Sequence, residues 1–296
     1  MLKDTWLSIG SFDGVHLGHR DLIHRLVEGA RAAYCQSVVM TLYPHPSRVL
    51  RGLTTPIYLS TFNERVAMLE ILGVDHVIHL PFDHKIASQS AATFMNRTLY
   101  QLGVKHMLVG ENFALGKDRK GNVDELSRLG QVLGFKLTAI PPLMQDGVAI
   151  SSSQIRAWLG EGDVEMAARG LGRLYRTCGR VVHGDERGGR IGIPTCNLAV
   201  WQEQMLPAGG VYACWAEVDN QKLRAVTNIG LRPTFQSDHP HVTVETHLLD
   251  FSGDLYNRDV CLDFAKRIRG EARFETVDAL VKQIHVDITQ ARRLLV

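Results

Sequence analysis

Hydrophobic and polar positions follow two different grammars along this chain. In the first half, short apolar runs alternate with segments whose apolar residues recur at helical spacing. "TWLSIG", "SVVMTLY", "HVIHLPF", "HMLVG" and "KLTAIPPL" read as buried strands. Between them, residues 19–34 place Leu22, Ile23, Leu26 and Ala30 on one helical face. "NERVAMLEILG" predicts a helix closed by Gly73 just past its end, "AATFMNRTLYQLG" another, and residues 123–133 a third. Strands alternating with helices require crossover connections, hence a mostly parallel sheet with helices on both faces. Ligands bind such sheets at the carboxyl ends of the strands. Two short helical segments follow, "SSQIRAWLGEG" and "DVEMAARGLG", each preceded by Ser or Asp as an N-cap.

After Gly172 the pattern changes. "YRTCGRVVHG", "GGVYACWAEVD", "LRAVTNIG", "HVTVETHLLD" and "DVCLDFAKRIR" read as short strands divided by Gly, Pro, Asn and Asp turns, which predicts a small antiparallel barrel. Val277, Leu280, Ile284, Ile288 and Ala291 then share the face of a closing helix. We therefore expect an α/β fold in two parts, a parallel-sheet domain over 1–172 and a β-barrel domain with a C-terminal helix over 173–296.

Composition narrows the classes. The 296 residues are 45% hydrophobic and 22% charged, with a net charge of +2, enough for two buried cores and without the basic face of a nucleic-acid binder. No stretch approaches the roughly 20 apolar residues of a membrane helix, and no apolar signal core opens the chain. Five scattered cysteines without a CxxC pair argue against zinc and against a disulfide framework. Free thiols in a reducing cytoplasm are the expectation, with Cys196 a buried thiol rather than a nucleophile. The sequence carries no signal for an oligomeric state.

Candidate chemistry starts in "GSFDGVHLGH", between the first strand and first helix. Helix-start N–H groups are unpaired and attract phosphates. Gly10 and Gly18 admit close approach, and Phe12 lies in the same turn. His16 and His19, three residues apart, can donate to phosphate oxygens and neutralise the charge of in-line attack at the α-phosphate of ATP. The plainer alternative is a pair of surface histidines. "ISSSQIR" follows the fifth strand. There Ser152 or Ser153 can cap a helix and Arg156 can clamp the β and γ phosphates. Pro44, His45 and Pro46 make either a ligand-touching loop or a rigid turn. "GENFALGKDRKGN" either folds over a substrate or is a solvated basic loop.

In the second half, the Gly-rich stretch 184–197 contains Gly184 and Gly192 and ends in Thr195 and Asn197. Glycine N–H groups can meet phosphates, and the two side-chain oxygens suit Mg²⁺ bridging them; a strained barrel corner is the alternative. Along "HVTVETHLLDF", alternation puts Glu245 on one face with Thr243 and His247. Such a carboxylate can take a proton from an attacking hydroxyl, or it is a solvent-facing Glu on an edge strand. Arg232 precedes Pro233 in a turn.

The order "GSFDGVHLGH", "YPHP", "GENFALG", "ISSSQIR", "GRIGIPTCNL", "GGVYA", "NIGLRPTF", "VETHLLDF", "DLY" resembles the prokaryotic bifunctional riboflavin kinase/FMN adenylyltransferases, from about residue 6 to 295. The resemblance implies a Rossmann-like nucleotidyltransferase domain followed by a riboflavin kinase barrel. It implies phosphorylation of riboflavin to FMN by ATP, then transfer of AMP to FMN, giving FAD and pyrophosphate. Both steps imply Mg²⁺, with riboflavin, FMN, FAD and ATP as the only partners and neither nucleic acid nor membrane. Thr195 and Asn197 would bind Mg²⁺–ATP and Glu245 would be the kinase base. His16, His19, Ser152, Ser153 and Arg156 would hold the other ATP. Asn112, Pro44, Pro46 and Arg232 would lie near flavin. The chain departs from the family pattern at Leu42, Tyr43, Leu115, Ile193 and Cys196, mostly apolar wall positions. Rival readings are a flavin- or nucleotide-binding protein with an activity lost, and an aminoacyl-tRNA synthetase relative. The latter lacks here its Lys-Ser-Lys signal.

Overall fold

A computed structural model describes residues 2–184, 192–232 and 241–296, without the side chains of Leu231, Arg232 and His241. The chain forms two compact units, Met1–Thr55 with Ser60–Ser152, and Pro56–Leu59 with Ser153–Val296.

The first unit carries β1 (Thr5–Gly10), α1 (Leu17–Ala32), β2 (Gln36–Tyr43), α2 (Pro46–Arg51), α3 (Phe62–Ile71), β3 (His76–Pro81), α4 (His84–Ala87), α5 (Ala91–Leu102) and β4 (Val104–Gly110). It continues through a two-residue ribbon, β5 (Ala114–Leu115) and β6 (Gly121–Asn122), to α6 (Val123–Leu133) and β7 (Lys136–Ile140), then a second ribbon, β8 (Met144–Gln145) and β9 (Val148–Ala149). The main sheet is parallel with order β3-β2-β1-β4-β7. Strand alternation explains why it is covered twice. Leu7, Ile9, Met40 and Val109 face Phe94, Met95 and Leu126 on one side, while Val39 and Leu108 face Ile23, Leu26 and Leu69 on the other. The strand order reverses between β1 and β4, which sets the crevice at the carboxyl end of β1.

The helix ends follow local chemistry. Thr61 and Glu64 form a reciprocal capping box at α3, and Gly73 adopts φ +85° just beyond it. α2 and α4 go beyond the sequence expectation, because six and four residues are too few to show a helical period.

The second unit begins with α7 (Ser152–Glu161, from its second residue) and α8 (Val164–Leu171). A closed antiparallel barrel follows, formed by β10 (Tyr175–Val182), β11 (Cys196–Val200), β12 (Gly210–Val218), β13 (Gln221–Arg232), β14 (His241–Leu248) and β15 (Asp259–Arg269). Its strands close in the order β10-β11-β14-β13-β12-β15. α9 (Val277–Leu294) packs Ala291 and Ile288 against Val211, Ala213 and Val226 on the outside of the barrel. β11 was not expected, since its five residues merge in sequence with the Gly-rich turn before them.

One expectation is overturned. Cys178 and Cys261 are joined in a disulfide rather than free. They are 83 residues apart in sequence but stand directly opposite each other on β10 and β15. Spacing in sequence could not reveal a pairing that the barrel register creates. Cys35, Cys196 and Cys214 remain free thiols.

Candidate functional site

In a parallel sheet every strand ends at the same edge. β1, β2, β4 and β7 therefore deliver four of the motif loops to one edge: residues 11–16, 44–46, 111–120 and 141–151. The first turn is built from residues in left-handed backbone, Phe12 at φ +48°, Gly14 at φ +76° and Val15 at φ +37°. A non-glycine residue held there is strained and persists only when its surroundings over-determine it.

Those surroundings are a buried network. Asp13 and Arg65 are both fully buried and paired at 3.2 Å. Arg65 also donates to the Ser11 carbonyl at 2.7 Å and to the Leu42 carbonyl at 3.4 Å. Asp13 accepts from the Ser60 amide at 3.3 Å, and the Ser60 hydroxyl accepts from Gly14 N–H at 3.2 Å. Thr41 ties the Ser11 carbonyl at 3.1 Å, and the Ser152 hydroxyl donates to the Asp13 carbonyl at 3.0 Å. Arg65 and Asp13 were not selected from sequence. A helical "NERVAM" gives no sign that its arginine turns inward.

This frame aims the histidines. His16 is the N-cap of α1, and its Nδ1 accepts the His19 amide at 3.3 Å. With Nδ1 an acceptor, the proton of the neutral ring sits on Nε2. The rings of His16 and His19 stack at 3.6 Å, and Phe12 meets His19 edge-on at 5.1 Å. The reading of two unrelated surface histidines is therefore replaced by a stacked pair whose first member is only 6% exposed. A Cβ on Gly18 would press at 3.3 Å on the His16 ring, and one on Gly10 would meet the Phe12 ring at 3.1 Å.

The remaining first-half positions separate. α7 starts at Ser152, so the capping position falls one residue earlier, at Ser151, and not at Ser152 or Ser153 as expected. Arg156, on the first turn of α7, donates Nε to the Ile57 carbonyl at 2.6 Å within the second unit. His45 caps α2 by accepting the Ser47 amide, with Pro46 as the first helical residue and Pro44 exposed. Asn112 is exposed and its carbonyl accepts from Arg119. Tyr43 lies against Phe62, ring centroids 5.3 Å apart.

On the barrel, Val244 and Thr246 point inward at 1% exposure, so Glu245 points outward with Thr243 and His247. β14 lies between β11 and β13, not at an edge. Glu245 consequently has an asparagine directly across on each side, Asn197 on β11 and Asn228 on β13. Asn228 was missed; it needs the register of a sheet to become visible. His247 bonds the Pro194 carbonyl at 2.7 Å, which holds the Pro-Thr-Cys-Asn turn against the same face. Thr195 is exposed, and Gly192 bears φ +77°. A Cβ on Gly184 would fall 2.0 Å from the Asn197 amide nitrogen, so only glycine lets that backbone lie over Asn197. Ile193 and Cys196 are buried wall residues. Burial pushes the Cys196 thiol up to about 11, which keeps it protonated and fits the expected inert thiol. The Arg232 side chain and residues 185–191 and 233–240 lie outside the described residues.

No helix of the described residues is long and apolar enough to cross a membrane. A solved structure described as a macrolide-efflux protein from Streptococcus pneumoniae shares the fold along 99% of this chain and 95% of its own, with TM-score 0.90 and 31% identity. A protein of Pseudomonas fluorescens is 38% identical over 97% of this chain and 92% of its own length. One of Escherichia coli strain K12 is 37% identical over 97% and 91%, and one of Bacillus subtilis strain 168 is 36% identical over 97% and 91%. All three relatives are named bifunctional riboflavin kinase/FMN adenylyltransferase. The FAD synthetase family model matches residues 1–154, across the parallel sheet, and the riboflavin kinase model matches residues 171–295, across the barrel. With both family models in tandem on the two folds and full-length relatives carrying both names, the chain belongs to the bifunctional riboflavin kinase/FMN adenylyltransferase family.

Proposed function

We propose that this protein makes FAD from riboflavin in two ATP-consuming steps, each on its own fold, with the functional boundary near residue 172. The observation that carries the kinase reading is the outward row Asn197–Glu245–Asn228 beside a glycine-framed turn. Glu245 takes the proton of the ribityl 5′-hydroxyl. The alkoxide oxygen forms a bond to the γ-phosphorus of ATP, the bond to the β-bridging oxygen breaks, and FMN and ADP leave.

Mg²⁺ suits this turn. Its donors are the Thr195 hydroxyl and the Asn197 amide oxygen, hard neutral ligands such as a phosphate-bound magnesium ion takes. Gly184, lacking a side chain, lets the backbone close directly on the Asn197 amide and hold it in place. When bound, the ion supplies charge neutralisation at the phosphate oxygens. Gly184 and Gly192 present backbone to the nucleotide.

For the second step, an FMN phosphate oxygen attacks the α-phosphorus of another ATP, and pyrophosphate departs. Nε2–H of His16 and the ring of His19 donate to the phosphate oxygens as negative charge shifts. Gly10, Phe12 and Gly18 shape the turn, and the Ser152 hydroxyl steadies it through Asp13. Ser153 and Arg156 keep the phosphate-holding role of their motif, although Arg156 Nε is engaged by Ile57. Pro44, Pro46, Asn112 and Arg232 are assigned to flavin by motif alone. A cytoplasmic setting, where ATP is at hand, fits this reading.

The test is direct. Incubated with riboflavin, ATP and Mg²⁺, the protein should convert riboflavin to FMN and then FAD, read by chromatography over time. FMN without FAD would remove the role given to the first unit, and no flavin phosphate would remove the whole reading.

A further inference from the structure

The disulfide of the barrel stands in a charged row that neither proposed reaction uses. Alternation along β10 turns Thr177 and Gly179 inward and leaves Arg176, Cys178 and Arg180 on the outer face. Along β15 it turns Val260 and Leu262 inward and leaves Asp259, Cys261 and Asp263 outside. The register sets the two rows against each other, with Arg176 opposite Asp263, Cys178 opposite Cys261 and Arg180 opposite Asp259. Arg176 donates to Asp263 at 2.8 and 2.7 Å and to Glu217 at 2.9 Å, and Arg180 lies 3.3 Å from Asp259. An ion pair thus brackets the disulfide on each side, and both of its residues are only half-buried.

This setting keeps the sulfurs together and makes them unequal. Ladder hydrogen bonds and two ion pairs hold β10 against β15 without help from the S–S bond. The reduced thiols therefore stay neighbours, and either can displace a group bound to the other. Cys178 has an arginine two residues away on either side. Cys261 has an aspartate on either side, and Glu217 directly across from it on β12. Cations favour a thiolate and carboxylates oppose one, so Cys178 is the thiol that ionises first.

We propose that Cys178 and Cys261 form a reversible modification site for low-molecular-weight disulfides, in which Cys178 is the entry thiol and Cys261 resolves. The Cys178 thiolate attacks one sulfur of the small disulfide. A mixed disulfide forms at Cys178, the small S–S bond breaks, and one small thiolate leaves and takes up a proton. Cys261, its proton released to water, then attacks Cys178 Sγ, and the second small thiol departs. Two protein thiols lose two electrons and one small disulfide becomes two thiols. The closed bond spans 83 residues, which contain β11, β12, β13 and β14. It therefore clamps most of the barrel by limiting the freedom of its unfolded chain.

Glutathione is the probe. The full-length protein is equilibrated at neutral pH, without oxygen, in mixtures of reduced and oxidised glutathione, and its thiols are read by alkylation and peptide mass spectrometry. The folded protein should hold two free thiols in excess reduced glutathione and the joined pair in excess oxidised glutathione. A bond that survives the first mixture, or thiols that never join in the second, would overturn the proposal. The barrel of the oxidised protein should unfold roughly 10 °C above that of the reduced protein in calorimetry; equal midpoints would remove the clamp. Given oxidised glutathione, Cys261→Ser should gain the adduct at Cys178 about 10-fold faster than Cys178→Ser gains it at Cys261. Equal or reversed rates would overturn the role of Cys178 as the entry thiol. Should either variant fail to fold, brief alkylation of the reduced, unaltered protein decides: Cys178 labelled before Cys261 supports the assignment, and the opposite order overturns it.

Discussion

Glu245 shows how one residue acquires a role. A glutamate on a strand is ordinary; one flanked by two asparagines on neighbouring strands sits among groups that can orient a hydroxyl and a phosphate. Glu245→Gln keeps shape and removes the basic oxygen. Riboflavin phosphorylation should fall about 10²- to 10⁴-fold, while supplied FMN should still be adenylylated, both read from initial rates. At the other fold, His19 stacks on His16, and in the proposed reaction it donates where charge develops. His19→Ala should lower kcat for FAD formation about 10²-fold, with little change in KM for ATP. An unchanged kcat would show that this ring does not serve the transition state. The thiols make a third residue-scale case. Burial pushes Cys214 up to about 12 and Cys196 up to about 11, so both are protonated at pH 8 and neither is a nucleophile there. Brief alkylation of the native protein at that pH should label Cys35, which is partly exposed, before either of them, as peptide mass spectrometry would report.

At the scale of elements, the turn that carries the histidines depends on a helix elsewhere in its unit. α3 sends Arg65 inward to Asp13 and to carbonyls at the ends of β1 and β2. Asp13→Ala leaves Arg65 buried without its partner charge, which costs about 3–5 kcal/mol. The expected result is a lowered unfolding midpoint in calorimetry, with adenylylation lost before riboflavin phosphorylation as temperature rises. α1 meets β1 in a different way. Gly29 faces the ring of Trp6, and a Cβ there would lie 2.0 Å from a ring carbon. Gly29→Ala should thus destabilise by about 1–3 kcal/mol, despite the better helix propensity of alanine. A neutral or stabilising effect in denaturant titration would mean that Trp6 moves aside freely. The periodic pattern predicted α1 and β1 themselves, yet it could not show that their contact requires a glycine.

Across the whole molecule, the two proposed chemistries draw on separate residues on separate folds, and this has a consequence in a mixture. Glu245→Gln should lack only the first reaction and His19→Ala should be slow only in the second. Combined in one tube with riboflavin and ATP, they should form FAD after a lag during which FMN accumulates. Failure of the mixture, with each variant showing its own partial activity, would mean that FMN does not leave the chain that makes it.

Sequence alone determined the fold class, the change from parallel sheet to barrel and nearly every long element. Period and turn chemistry act over a few residues, and this chain obeys both. The same local reading located "VHLGH", "ISSSQIR", "PTCN" and "VETH", since a motif is itself local. Tertiary structure decided what depends on residues far apart in the chain. It placed Asn197 and Asn228 either side of Glu245 and Arg65 against Asp13, it put Ser152 inside α7 rather than before it, and it joined Cys178 to Cys261. Register between strands and the inward turn of a long side chain are set by the packing of the whole core, and no window of sequence contains that information.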